Sequence, residues 1–67
     1  MKHSQAEIDM ARRHVLDAQA RIDAQVTLIT RIREHGQSTA HAEELLRTML
    51  GLLDALHAHL RDVTRPK

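Results

Sequence analysis

Between Ser4 and Gly36 the chain contains neither proline nor glycine, so nothing in that stretch forces a helix to stop. Proline would remove a backbone donor and clash with the preceding turn; glycine would leave the backbone too free. Ser4-Gln5-Ala6-Glu7 opens the stretch with the pattern of a capping box. In that arrangement the serine hydroxyl accepts the amide proton of Glu7, and the Glu7 carboxylate reaches back to the Ser4 amide. One helix is therefore predicted over residues 5–35. Gly36 ends it, because glycine takes the left-handed conformation after a helix at no steric cost. A turn over 36–38 follows. Ser38 or Thr39 then caps a second helix, predicted over 39–63, and Pro66 and Lys67 should fray.

The charges agree with these limits. Glu7 and Asp9 lie near the first N-terminus, and Arg31, Arg33 and His35 near its C-terminus. Glu43 and Glu44 follow the second cap, and Arg61 and Arg65 lie near the second end. Each placement complements the helix dipole. Asp9–Arg13, Asp17–Arg21 and Glu43–Arg47 are acid-before-base pairs at (i, i+4), the better order.

The first helix carries a heptad seam. Ile8, Val15, Ile22 and Ile29 take one position, and Ala11, Ala18, Gln25 and Ile32 the other. Such a sustained repeat marks a helix packed along its length. In the second helix Ala42, Met49, Leu56 and Val63 take one seam position and Leu45, Leu52 and His59 the other, with Leu46, Leu53 and Leu60 flanking them. Thr48, Gly51, Ala55 and Ala58 form a row of small residues behind. So broad an apolar arc exceeds what one narrow-seamed neighbour covers.

A short connection makes the two helices antiparallel neighbours. Pairing about residue 37 sets Gln25 beside Met49 and Val15 beside His59. The expected architecture is a single all-α domain spanning 1–67, a two-helix hairpin that dimerises into a four-helix bundle. The dimer interface is expected at Leu46, Met49, Leu50, Leu53, Leu56 and Leu60.

Composition narrows the functions. With no cysteine, disulfides and thiolate metal sites are excluded. With no Phe, Tyr or Trp, the chain has no platforms for stacking single-stranded bases. Basic and acidic residues nearly balance, 10 against 9, so neither half is a charged tail. No apolar run is long enough to span a membrane. No secretory leader is visible after Lys2. A cytoplasmic location is expected.

Three weaker site candidates stand beside this frame. His14 and His59 fall in nearly the same layer, and Asp17 or Asp62 could add a carboxylate to a metal site. Zinc, however, needs three or four ligands at one point, and His57 and His59 point to opposite sides of their helix. The bland reading makes His57 solvated and His59 a partly buried polar plug. Gln25 is a polar residue in an apolar seam; it either sets register, pairing with its copy across a symmetry axis, or reaches out to solvent. Arg12, Arg13, Arg21, Arg31 and Arg33 would suit nucleic acid, but Asp9, Asp17, Asp23 and Glu34 interleave with them and cancel the field. Ser4, Ser38 and Thr39 sit at caps, and a hairpin has no deep pocket, so no catalytic residue and no cofactor are expected.

The turn Gly36-Gln37-Ser38-Thr39-Ala40 and the following Ala42-Glu43-Glu44-Leu45-Leu46 resemble a group of very short helical-hairpin proteins predicted in rhizobial-type bacteria. His14-Val15 and the Ile29–Arg33 segment match features of that group. Ser38 replaces its usual aspartate and keeps a cap; His41 replaces its usual acid and loses the reciprocal half of the box. The resemblance implies the hairpin fold and no activity. The function expected is a non-enzymatic structural or regulatory protein–protein interaction module acting as a homodimer, or as half of a hetero-oligomer with an unknown protein partner, with no membrane role and nucleic acid disfavoured as a partner. The alternatives are a small nucleic-acid-binding hairpin and a metal-binding helical bundle.

Overall fold

The computed structural model describes residues 3–66; Met1, Lys2 and Lys67 lie outside them. Two helices make up almost all of it, α1 over Gln5–Glu34 and α2 over Ala40–Thr64. They pack side by side as a hairpin with Cα extents of 53 × 15 × 12 Å.

Each helix end has a physical cause. At the start of α1 the Glu7 amide donates to Ser4 Oγ at 3.1 Å, which forms one half of the predicted capping box; the Glu7 carboxylate lies 2.7 Å from His3 Nδ1 instead of on the Ser4 amide. At its end Gly36 takes φ +71, the Gly36 amide donates to the Arg33 carbonyl at 3.0 Å and the Gln37 amide to the Ile32 carbonyl at 3.1 Å. This is a Schellman motif, which uses up carbonyls that a helix end would otherwise leave unpaired. The second cap divides the roles the sequence left open. The Ala40 amide donates to Ser38 Oγ at 3.4 Å, whereas Thr39 makes no side-chain cap and accepts the Glu43 amide on its backbone carbonyl.

The α1 seam follows the heptad. Ala11, Val15 and Ile29 are buried, and Ala18, Ile22 and Ile32 half-buried. On α2 the seam differs from the expected one. Ala42 and Val63 are buried and Met49 and Leu56 half-buried, as predicted, but the alternate position belongs to Leu46, Leu53 and Leu60. Leu45, Leu52 and His59 are exposed. The helix has turned by roughly half a residue's step relative to the expected frame, which keeps one seam position and moves the other by one residue. That turn puts Leu60 rather than His59 against α1 and spares an imidazole from burial, which costs free energy unless it is hydrogen-bonded. His59 is thus no polar plug, and His57, expected to be solvated, is the half-buried histidine of the pair.

Gln25 is the buried polar seam residue of the first reading and does not reach out to solvent, but its partner lies within the hairpin. It is 8% exposed, and its Nε2 donates to the Ala42 carbonyl at 2.9 Å. Its partner is the backbone at the start of α2, nearer the loop than the expected Met49. Ala42 has only a methyl side chain, so its carbonyl stays open to a neighbour.

The (i, i+4) pairs expected from the charge pattern are not the ones formed. Among the described residues the ion pairs are His3–Glu7 at 2.7 Å, Arg33–Glu43 at 3.1 Å and Arg65–Asp62 at 3.4 Å. Glu43 turns across the loop to Arg33 instead of along its own helix to Arg47. Exposed pairs differ by only a few tenths of a kcal/mol, so small geometric advantages decide among them. Among the described residues no helix is long and apolar enough to cross a membrane.

Candidate interaction face

A two-helix hairpin has a seam and two broad sides. Residues one step from the seam on each helix line those sides, and here the two differ in character. On one side α1 supplies His14, Asp17 and Arg21, and α2 supplies Leu45 and Leu52. Ala18, Met49 and Leu56 form the floor between them. The result is an open groove of about 440 Å³ with a mostly apolar lining. Leu45 is 48% exposed and Leu52 62%. A heptad beyond Arg21 on the same side of α1 lies Leu28, and a heptad before Asp17 lies Met10; both are exposed.

The opposite side also exposes single apolar residues, Leu16, Val26 and Leu50. Its α2 half, however, is charged, with Glu43, Arg47, Asp54 and Arg61, and Glu43 is tied to Arg33. Apolar residues scattered among charges are ordinary surface; a contiguous apolar groove is not.

Of the residues expected at a dimer interface, Met49 and Leu56 reach the groove floor and the rest lie elsewhere. Leu46, Met49, Leu53, Leu56 and Leu60 are half-buried in the seam with α1, and Leu50 is exposed on the charged side. Leu45 and Leu52, read from the sequence as seam residues, are the ones on the groove side. One signal could have found this. Two heptad frames fit α2, and only the frame through Leu46, Leu53 and Leu60 avoids a histidine.

Among the described residues no three His, Asp or Glu side chains converge as a metal site would require. His14 and His59 are both exposed. Arg12, Arg13, Arg21, Arg31 and Arg33 are exposed around α1 rather than gathered in one patch.

No protein-family model, curated protein or solved structure matches this chain. The groove therefore has to be read from its own chemistry: a long apolar trough with an acid and a base one turn apart on its rim.

Proposed function

We propose that this protein is a non-enzymatic structural or regulatory interaction module that works as a homodimer, two hairpins closing into a four-helix bundle. The observation that carries the reading is surface area. The described hairpin exposes 5406 Å². A compact monomer of 7.6 kDa exposes roughly 4,300 Å². The excess of roughly 1,100 Å² is of the same order as the roughly 800 Å² that each partner buries in a standard interface. Among the described residues no large side chain is fully buried, so a lone copy has only a thin core. Leu45 and Leu52 are about half exposed, so leaving them uncovered forgoes roughly 1 kcal/mol or more each, an appreciable share of a small domain's stability.

A second copy supports this reading most simply, because in a two-fold dimer one patch covers its own image. Sedimentation equilibrium across micromolar concentrations tests it. The wild type should sediment at twice the chain mass, and Leu52→Glu, a change at an exposed position, should shift it toward monomer. A folded monomer at every concentration would overturn the proposal.

A further inference from the structure

Read backwards about residue 19, the groove side of α1 keeps its apolar positions and reverses every charge, and this says how a second copy would sit. Asp17 and Arg21 are one turn apart and flank residue 19 symmetrically. Moving outward from that centre, Met10 on one side is matched by Leu28 on the other, and Glu7 by Arg31. All six residues are exposed and lie on one stripe of the helix. Asp17 and Arg21 do not form an ion pair with each other.

We infer that two copies dock groove to groove about a two-fold axis at the level of residue 19, with the two α1 helices antiparallel. Asp17 then faces Arg21 of the second copy, Met10 packs on its Leu28, and Glu7 approaches its Arg31. Every acid meets a base and each large apolar residue meets another. His14 falls opposite Ala24, so no like charges are forced together. The other two-fold docking of this side, about an axis along the helices, would set α1 over the second copy's α2 and bury Asp17 and Arg21 against leucines, which is unfavourable. The α2 half of the same side brings Leu45 and Leu52 into the contact beside the small residues Thr48 and Ala55. The inference rests on the homodimer reading and adds its face and direction.

Because the chain has no cysteine, the direction can be read directly. Met10→Cys and Leu28→Cys, mixed in equal amounts and mildly oxidised, should form a covalent dimer at least tenfold faster than either variant alone. In the proposed dimer two copies of position 10 lie roughly 27 Å apart, at about 1.5 Å per residue, so neither variant should link to itself. A charge exchange supplies the second measurement. Arg21→Asp and Asp17→Arg should each raise the dimer dissociation constant tenfold or more, and mixing the two should restore wild-type affinity through two Asp–Arg pairs. All four positions are exposed, and unchanged helicity by circular dichroism verifies folding. If the wild type is dimeric but the cysteine mixture links no faster than the single variants, or the charge variants do not rescue each other, the proposed face or direction is wrong while the dimer stands. A monomeric wild type overturns both.

Discussion

Gln25 Nε2 sits 2.9 Å from the Ala42 carbonyl, and this hydrogen bond ties the middle of α1 to the first turn of α2. Of the described polar residues, Gln25 alone is buried. A buried amide left without its partner is costly, whereas removing it in favour of an apolar side chain of similar size is nearly neutral. Gln25→Ala loses the bond and side-chain contacts together, for an expected cost of about 1–3 kcal/mol. Gln25→Leu restores apolar packing in the seam and should stay within about 1 kcal/mol of wild type. Thermal unfolding at one fixed protein concentration compares them. If the two variants fall equally, the lost bond rather than the lost packing is what the position contributes.

The two glycines should respond to alanine with opposite signs. Neither has an atom within 4 Å of where a Cβ would be built, so space does not distinguish them. Conformation does. Gly36 has φ +71, and an L side chain there costs about 1–2 kcal/mol. Gly51 is inside α2, where alanine gains roughly 0.5–1 kcal/mol. Gly36→Ala should therefore lower the melting temperature and Gly51→Ala raise it. A loss of stability in Gly51→Ala would mean that a second helix passes behind α2, away from the proposed groove.

Glu7 links the first cap to pH. Its carboxyl is held below the ordinary value of 4.5, first because His3 Nδ1 lies within hydrogen-bond distance. Slight desolvation works against this, and contacts with Ser4 add to it. A carboxylate favoured in the folded state contributes stability above its unfolded value and loses it as pH falls through the folded one. The stability that the Glu7 carboxylate contributes should thus be present above about 4.5 and be lost in more acid solution, as its contact with His3 weakens. A carboxyl-carbon NMR titration should find the Glu7 midpoint under 4.5, and His3→Ala should move it upward. A midpoint at or above 4.5 would contradict the capping geometry.

The sequence by itself determined both helices and their ends, because those depend on neighbours in the chain. Ser4 and Glu7 cap α1, Gly36 supplies the one left-handed residue, and the repeat from Ala11 to Ile32 marks the face that packs. The side of α2 that meets α1 was a different matter. Leu45 and Leu46, Leu52 and Leu53, and His59 and Leu60 are adjacent choices for the same seam positions, and local propensity cannot rank most of them. Only packing against α1 chose Leu46, Leu53 and Leu60, leaving Leu45 and Leu52 to face outward. The partner of Gln25 was equally invisible, since it is a backbone carbonyl with no side-chain signature. Local rules act within a turn of helix; the rotation of one helix about its axis is settled by the surface it meets, and that surface exists only once the chain has folded.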